Sequence, residues 1–380
     1  MIYFDNAATS GHKPQSVINA VNYTLKNLSA NPGRSGHKLS LAASDLVYKT
    51  RKKTADFFGA DGPEQVVFTS NCTQSLNYVI KGVLNKGDHV VISNLEHNAV
   101  MRPLIKTGVK YDTVTVYDDD NLTISDFVNK IKLNTKLVIM TAASNVTGRI
   151  LPFEEMAKIC YKRGILFCLD GAQACGVLAI NMQKMHIDFL CIAPHKGLYS
   201  PMGLGVLICR KNIENTIIEG GTGSSSLDFK QPTEMPEMLE SGTLNLPAVA
   251  GLFAGIDFVE KTGALNIYKK EMKLCNIFYD GLKKNHDIEL YTNQPIMNKY
   301  AAVIPFNIKG MKSDAAVELL DRKGIAVRGG LHCAPTAHKT LGTTDFGTVR
   351  ASFSVFNSEE EVFKAINIIK NIRKFKFTID

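Results

Sequence analysis

The most informative segment for the fold of this chain is Ile165-Leu-Phe-Cys-Leu-Asp170-Gly-Ala-Gln173-Ala. An apolar run that ends in a carboxylate and small residues is typical of a strand buried on both faces of a parallel sheet. Ligands bind at the carboxyl ends of strands in open α/β sheets, so Asp170 lies where a ligand is expected. A buried carboxylate needs a cation or hydrogen-bond donors, and a protonated pyridine nitrogen is one suitable cation. A carboxylate that only caps a turn explains this segment equally well.

Short apolar runs alternate with amphipathic stretches on both sides of this segment, through the N-terminal two thirds of the chain. This alternation predicts an α/β domain with a mostly parallel sheet that is covered by helices on both faces. The predicted strands are residues 65–69, 89–93, 137–142, 165–169, 189–193 and 205–208, and the predicted helices are residues 73–84, 123–132, 153–162 and 181–185.

After Gly251 the pattern changes to that of a smaller α+β domain. A long helix is predicted at 264–284, strands at 289–291 and 302–308, and another helix at 313–323. The last helix begins with Ser358-x-x-Glu361, a capping box directly before an apolar run. We therefore expect a large domain of residues 14–255 and a small domain formed by residues 1–13 and 256–380.

The composition is that of an ordinary globular protein. Hydrophobic residues make up 45% of the chain and charged residues 21%, and a net charge of +8 in broken clusters argues against a nucleic-acid binder. The eight cysteines include no C-x-x-C pair, which argues against a metal site and favours reduced thiols in the cytoplasm. We also expect no signal peptide and no membrane span, because no apolar run approaches 18 residues.

A second predicted strand end carries a lysine. The segment Ala193-Pro-His195-Lys196-Gly follows the strand at 189–193 and precedes a glycine-rich turn. A lysine at the ligand-binding edge of the sheet could form a Schiff base with a carbonyl group. A solvated surface lysine is the alternative, because most lysines are exposed to solvent.

Taken together, Asp170-Gly-Ala-Gln173 and His195-Lys196 resemble the signature of class V, fold-type I pyridoxal-phosphate (PLP) enzymes. More narrowly, the chain is similar to cysteine desulfurases, especially the group that includes selenocysteine lyases. The resemblance runs from Tyr3-Phe-Asp-Asn-Ala-Ala-Thr9 to Arg350-Ala-Ser352. It implies the PLP-transferase type I fold, with a seven-stranded sheet in the large domain, and a cytoplasmic homodimer.

The resemblance implies that the large domain holds PLP. Lys196 would bond the cofactor covalently, Asp170 would pair with its pyridinium nitrogen, and Gln173 would donate to the phenolic oxygen of the ring. His97 would stack on the ring and could move protons as a catalytic residue. The remaining implied contacts to the cofactor are a helix N-terminus with Cys72 and Thr73, then Asn145, His195 and, from the neighbouring subunit, Thr243.

The resemblance also identifies a nucleophile and a substrate site. Gly329-Gly-Leu-His-Cys333-Ala-Pro335 is similar to the loop that presents the catalytic cysteine of desulfurases, and a nearby His or Arg would favour the reactive thiolate. Arg350 corresponds to the arginine that binds the substrate carboxylate, as a bidentate pair. The other implied substrate contacts are Asn6, Ala7, Asn145 and Arg328.

The chain departs from the family pattern at four positions. Ala193 stands where a hydroxyl residue commonly contacts the phosphate, and Pro194 replaces the usual glycine. Ser200 and Leu331 also differ from the frequent residues. These departures could mark a divergent subgroup that acts on another substrate.

The implied reaction removes sulfur from L-cysteine and gives L-alanine and a persulfide on Cys333. Selenocysteine lyase activity, another class V aminotransferase or lyase reaction, and a non-catalytic PLP-binding partner protein are the alternatives. The sulfur would be mobilised for an acceptor such as an iron–sulfur cluster assembly scaffold, a sulfur-carrier protein or a tRNA-thiolation enzyme. The sequence does not distinguish among these acceptors.

Overall fold

The computed structural model describes residues 1–33, 35–223 and 227–372. The strands among these residues are β1 Ile2–Tyr3, β2 Val66–Thr69, β3 His89–Ser93, β4 Lys110–Val114, β5 Thr135–Thr141, β6 Leu166–Asp170, β7 Phe189–Ile192, β8 Gly205–Cys209, β9 Ile288–Leu290, β10 Val303–Ile308, β11 Ile325–Ala326 and β12 Val349–Ser352. The α-helices are α1 Gln15–Asn27, α2 Lys38–Phe58, α3 Cys72–Val83, α4 Asn98–Thr107, α5 Asp120–Lys130, α6 Phe153–Arg163, α7 Leu246–Thr262, α8 Ala264–Lys283, α9 Ser313–Arg322, α10 Pro335–Leu341 and α11 Glu359–Lys370.

The chain forms two compact units. The large unit comprises Lys13–Ala142 and Leu151–Thr262, and the small unit comprises Met1–His12, Ala143–Ile150 and Gly263–Asp380. This division differs from the predicted domains in three places, because Lys13 and all of α7 belong to the large unit and the segment after β5 belongs to the small one. The last eight residues of the predicted small domain, 373–380, lie outside the described residues.

The large unit contains a seven-stranded sheet in the order β2-β8-β7-β6-β5-β3-β4. The pairs from β7 to β4 are all parallel, whereas β8 is antiparallel to both β7 and β2. Strand β2 therefore runs in the same direction as β7. The carboxyl ends of β2, β3, β5, β6 and β7 consequently meet at one edge of the sheet, where ligands bind in such folds. The predicted fold class, a mostly parallel seven-stranded α/β sheet, is confirmed.

One local prediction is wrong, and one strand of the sheet was not predicted. The predicted helix at 181–185 is a set of turns. The Met185 N–H donates to the Asn181 carbonyl at 3.0 Å, but His186 adopts a left-handed backbone with a φ of +57° and ends the segment before a helix forms. Strand β4 was not predicted, because its sequence Lys-Tyr-Asp-Thr-Val is polar and largely exposed. Such a strand lies at the edge of a sheet and lacks the apolar run of a buried strand.

The small unit is built around the antiparallel sheet β12-β10-β9 and the parallel pair β1-β11. Its core includes Phe4, whose ring centroid lies 4.9 Å from that of Phe353 and 6.0 Å from that of Phe278. The predicted capping box of Ser358 and Glu361 is present at the start of α11. No helix in the described part of the chain is both long and apolar enough to cross a membrane.

Replacing Phe4 by alanine should lower the free energy of unfolding by about 3–5 kcal/mol, because the ring is fully buried and leaves a cavity. Chemical denaturation followed by near-ultraviolet circular dichroism measures this loss. The matched control is Phe363→Ala, since Phe363 lies on α11 of the same unit and is 57% exposed. Equal losses in the two variants would contradict the core role of Phe4.

Candidate active site

Asp170 ends β6 and is only 4% exposed. Its Oδ1 accepts the Ala172 N–H at 3.0 Å and the Cys72 thiol at 3.7 Å. Both of these hydrogen bonds end on Oδ1, which leaves Oδ2 of a buried carboxylate for a further donor. Gln173, another predicted cofactor contact, lies half-buried in the turn that follows.

The turn that carries Lys196 packs directly on the turn that follows Asp170. A Cβ on Gly176 would lie 2.1 Å from the Gly197 carbonyl oxygen, and a Cβ on Gly197 would lie 2.3 Å from the Cys175 carbonyl oxygen. Only glycine allows two backbones to approach so closely, and Gly176 also has a φ of +94°. The two glycines thus bring the Lys196 turn, after β7, against the end of β6.

The charges at this edge interact with one another. Burial and then the Asp170 carboxylate raise the pKa of the Cys72 thiol well above its ordinary value, while the Lys196 ammonium acts in the opposite direction. Burial, Lys196 and Lys13 together lower the pKa of His195 to about 4, so this imidazole is neutral at physiological pH. The Lys13 ammonium also donates to the His195 carbonyl at 2.9 Å. Cys72, Asp170 and Lys196 therefore lie within electrostatic reach of each other.

The turn between β3 and α4 carries His97 at the N-cap of α4. Its Nδ1 accepts the Ala99 N–H at 3.0 Å, so the neutral ring carries its proton on Nε2. The preceding Glu96 is fully buried, and its Oε1 accepts the Ser93 hydroxyl at 2.5 Å and the Thr141 N–H at 2.9 Å. Thr141 ends β5 and is the register partner of Asp170 on β6. Glu96 thus ties the His97 turn to the strand next to Asp170.

Glu96→Gln should stabilise the protein at alkaline pH. Burial raises the pKa of Glu96 to about 8, so between pH 4.5 and 8 the folded chain holds a proton that the unfolded chain has released. The contribution of this group to stability is therefore lost as the pH rises through that window. Glutamine keeps the accepting oxygen and cannot ionise, so the gain over the parent should reach on the order of 2–4 kcal/mol near pH 9 and be small near pH 5.

Thermal unfolding at both pH values measures this difference. The exposed Glu234 offers a matched control, and Glu234→Gln should change the melting temperature equally little at both. A Glu96→Gln protein that is as unstable at pH 9 as the parent would contradict the argument.

The N-terminus of α3 follows β2 at the same edge of the sheet. Asn71 caps the helix by accepting the Gln74 N–H at 2.9 Å, and the Gln74 side chain accepts the Ser70 N–H at 2.7 Å. The N–H groups of Cys72 and Thr73 have no intrahelical partner by helix geometry, and Thr73 is exposed. With the positive end of the helix dipole, these donors can bind an anion such as a phosphate.

The segment that contains Thr243 is fixed by a buried ion pair. Glu240 accepts from Arg51 through both carboxylate oxygens, at 2.8 and 2.5 Å, and its Oε1 also accepts the Phe68 N–H of β2 at 2.5 Å. Thr243 itself is exposed. It lies between two of the residues that line a cavity of about 370 Å³, Gly242 and Leu244.

The small unit contains a buried arginine on β12. Arg350 is 1% exposed, and it donates from Nη2 to the Asp5 carboxylate at 2.8 Å and from Nη1 to the Asn145 carbonyl at 2.9 Å. Nothing among the described residues accepts from its Nε. Burial lowers the pKa of Arg350 and the Asp5 carboxylate opposes this effect. A guanidinium with one buried donor left over is suited to a second carboxylate.

The loop before α10 presents Cys333 to solvent. Cys333 is exposed, whereas the other seven cysteines are buried or half-buried. His332 and Cys333 both have left-handed backbones, with φ of +51° and +56°. A left-handed backbone costs about 1–2 kcal/mol at each non-glycine residue, so surrounding contacts must keep the loop in this conformation. One such contact is the hydrogen bond from the Asn145 side chain to the His332 carbonyl at 2.7 Å.

The histidine beside Cys333 is not a base for its thiol. The sequence suggested that a neighbouring His favours the thiolate, but His332 is buried, and its two ring nitrogens point to His338 and to the Arg328 carbonyl. The His332 imidazole is therefore committed to other partners. The pair formed by His332 and His338, like the roles of Asp5 and Glu96, was not found from the sequence.

Three predicted substrate contacts have other partners within the small unit. The Asn6 amide donates to the Ser352 carbonyl at 3.0 Å, and the Ala7 N–H donates to the Ser352 hydroxyl at 2.8 Å. Arg328 is exposed, and its backbone forms a bridge with Arg350. Asn6 and Ala7 thus tie the N-terminal segment to β12.

A lysine, a buried carboxylate and an anion-binding helix end on one edge of a parallel sheet define an α/β enzyme that holds a phosphorylated carbonyl cofactor. The family model for class-V aminotransferases matches residues 2–364. The chain belongs to this class-V aminotransferase family, whose cofactor is PLP.

Several similar proteins are named cysteine desulfurase. A probable cysteine desulfurase of Pyrococcus abyssi is 36% identical, with 98% of this chain and 94% of the relative covered. The apo structure of a cysteine desulfurase from Thermococcus onnurineus has a TM-score of 0.89 and 37% identity, with 98% and 95% covered. The cysteine desulfurase CsdA of Escherichia coli has a TM-score of 0.87 and 26% identity, with 98% and 94% covered.

PLP fits the chemistry of the large-unit residues. The buried Asp170 has Oδ2 left for a pyridinium N–H, and the α3 N-terminus provides donors for a phosphate. Lys196 lies close enough to the α3 N-terminus for its charge to act on the Cys72 thiol there. The Cys72 thiol is hydrogen-bonded to Asp170, whereas its backbone N–H is one of the predicted donors at the α3 N-terminus.

Proposed function

We propose that this chain is a cysteine desulfurase, which converts L-cysteine to L-alanine and retains the sulfur as a persulfide on Cys333. The observation that carries the proposal is the exposed Cys333 on a left-handed loop that is hydrogen-bonded, through Asn145, to the buried Arg350. The names of relatives that are 30–36% identical over nearly the whole chain support it.

In the large unit, Lys196, Asp170, Gln173, His97, His195 and the α3 N-terminus at Thr73 would hold PLP. When bound, this cofactor withdraws electrons from the Cα of an amino acid and so acidifies its proton. Asp170 would keep the ring nitrogen protonated, and His97, whose proton is on Nε2, would lie beside the ring. The Lys196 amine takes the Cα proton of the substrate and later returns a proton, as a general base and acid.

In the small unit, Arg350 binds the substrate carboxylate and Cys333 attacks the substrate sulfur. The Cys333 thiolate forms a new S–S bond as the carbon–sulfur bond of the substrate breaks, and the bonding electron pair stays with the substrate carbon. Protonation of that carbon gives L-alanine. The balance is L-cysteine plus the Cys333 thiol giving L-alanine plus the Cys333 persulfide, with no external oxidant. A sulfur-acceptor protein would then take the terminal sulfur.

Thr243 is proposed to reach the cofactor phosphate of a second copy of the chain, which requires a homodimer. The buried Arg51–Glu240 pair holds the Thr243 segment firmly while Thr243 itself is exposed. The apolar side chains Leu41 and Tyr48 on α2 of the same unit are more than half exposed and suit a subunit contact. Seven further cysteines with free thiols favour the reducing cytoplasm as the location.

The test is the visible absorbance of the purified protein, followed by assay of both products from L-cysteine. A visible band that borohydride removes would establish a carbonyl cofactor bound through a lysine. Alanine and sulfide in equal amounts would support the desulfurase proposal. A protein that shows the band but forms no alanine from L-cysteine would leave the cofactor assignment intact and overturn the assignment of L-cysteine as the substrate. A colourless protein that stays colourless with added PLP would overturn both.

A further inference from the structure

Behind the Cys333 loop lies a chain of three buried polar side chains that the proposed reaction does not use. His332 Nδ1 lies 3.2 Å from His338 Nε2, and His338 Nδ1 lies 2.8 Å from the Thr343 hydroxyl. The two rings are nearly parallel, with an angle of 17° between their planes, and meet through these nitrogens. All three residues are less than 5% exposed.

The direction of these hydrogen bonds follows from the group at one end. His332 Nε2 lies 3.3 Å from the Arg328 carbonyl, which can only accept, so this nitrogen carries the proton. In a neutral ring His332 Nδ1 then accepts, and the proton must come from His338 Nε2. His338 Nδ1 accepts in turn from the Thr343 hydroxyl. Each bond is thus fixed in one direction, and both rings have the same tautomer.

Both rings are held in the neutral state that this arrangement needs. Burial, and next the charge of Arg350, lower the pKa of His332 to about 3, and burial lowers the pKa of His338. Arg328 also lowers the pKa of His332, while the hydrogen bond to the Arg328 carbonyl raises it.

This chain of hydrogen bonds connects the Cys333 loop to β12, the strand of the arginine that is proposed to bind the substrate carboxylate. The Arg328 carbonyl that accepts from His332 also accepts the Arg350 N–H at 2.7 Å. On its other side, the His332 carbonyl accepts from Asn145, whose own carbonyl accepts from the Arg350 side chain. His332 is therefore connected both to the backbone and to the guanidinium of Arg350.

We propose that His332, His338 and Thr343 form a one-directional hydrogen-bond chain that fixes the position of Cys333 relative to Arg350. His338 and Thr343 are thus positioning residues for the sulfur-transfer step, and this inference rests on the proposed desulfurase function. The chain compensates the two left-handed residues of the loop, which would otherwise relax and move the thiol. A small displacement of a reacting group lowers the rate of chemistry more than it lowers binding.

The test replaces Thr343 by valine, which has the same shape and no hydroxyl, and by serine, which keeps the hydroxyl. Thr343→Val should lower kcat for alanine formation from L-cysteine about ten- to hundredfold, with KM and the visible cofactor band nearly unchanged. Its amide hydrogens at 330–334 should exchange with solvent at least about tenfold faster. Thr343→Ser should resemble the parent, and so should Thr340→Val, which changes an exposed threonine of α10.

Equal losses in Thr343→Val and Thr343→Ser would overturn the proposal, since packing and not hydrogen bonding would then decide the effect. A Thr343→Val protein with parent values of kcat and exchange would also overturn it. If Thr343→Val fails to fold, ¹⁵N NMR of histidine-labelled parent protein decides. Two neutral Nε2-protonated histidine signals, assigned by the loss of one in His332→Gln and of the other in His338→Gln, support the chain, and any other tautomer at either residue contradicts it.

These readouts separate the inference from the proposed function. A parent protein that makes no alanine from L-cysteine would overturn the desulfurase proposal. Hydrogen exchange in the loop and the histidine tautomers would still decide whether the hydrogen-bond chain fixes the position of Cys333, because neither measurement depends on turnover.

Discussion

Replacing Lys196 by alanine is expected to abolish alanine formation from L-cysteine, a loss of at least about 10⁴-fold, and to remove the visible cofactor band. The proposed mechanism uses this one amine twice, to bond the cofactor and to move the Cα proton. Its turn packs against the turn that follows β6 through Gly176 and Gly197, which holds the Lys196 backbone close to the end of β6. Absorbance spectra and a coupled alanine assay measure the two effects.

Two controls separate the loss of the Lys196 amine from the loss of a positive charge and from the loss of any lysine. Lys196→Arg keeps the positive charge but cannot serve as an amine nucleophile, so it should be as inactive as Lys196→Ala. Lys184→Ala removes an exposed lysine from the same unit and should leave both band and activity unchanged. A Lys196→Ala protein that retains a few per cent of the parent activity would exclude Lys196 as the base.

Cys333→Ala is expected to lower sulfide and alanine release from L-cysteine by about 10²–10³-fold while the cofactor band stays at the parent intensity. The reason is that the nucleophile and the cofactor residues belong to different units of the chain, so loss of one thiol leaves the large unit intact. The matched control is Cys160→Ala, because Cys160 is a buried cysteine of the large unit whose thiol the mechanism does not use.

The same variant distinguishes cysteine from selenocysteine as the substrate. Selenium is a better leaving group and departs without a thiol nucleophile, so a selenocysteine lyase would keep its activity on L-selenocysteine in Cys333→Ala. Full retention of activity on L-cysteine in this variant would refute the persulfide step.

The edge of the sheet could be predicted from the sequence because its determinants are local. Each strand of the parallel core is a short apolar run, and Asp170 and Lys196 directly follow such runs, so their common edge follows from strand direction alone. Strand β4 lacked this signal, since its polar sequence is that of an edge. The turns at 181–185 have an apolar spacing like that of a helix, but the left-handed backbone of His186 ends the segment after one turn.

The contacts of the small unit could not be predicted because they join distant parts of the chain. Arg350 and Asp5 are 345 residues apart, and Asn145 and His332 are 187 apart. No spacing rule reaches across such distances, and the partners are set by tertiary packing. The family resemblance assigned Asn6 to the substrate, whereas packing directs its amide to the Ser352 carbonyl.

The pairing of β1 with β11 has a consequence for biosynthesis. Residues 1–12 are synthesised before the large unit, yet they complete a unit whose other strands and helices are almost all synthesised after it. Phe4 and Asp5 therefore cannot form these contacts until β12 and Arg350 have been synthesised. The large unit can fold before that point, because domains generally fold as units during synthesis. A nascent chain stalled before residue 350 would contain every strand of the seven-stranded sheet but not the arginine that is proposed to bind the substrate carboxylate.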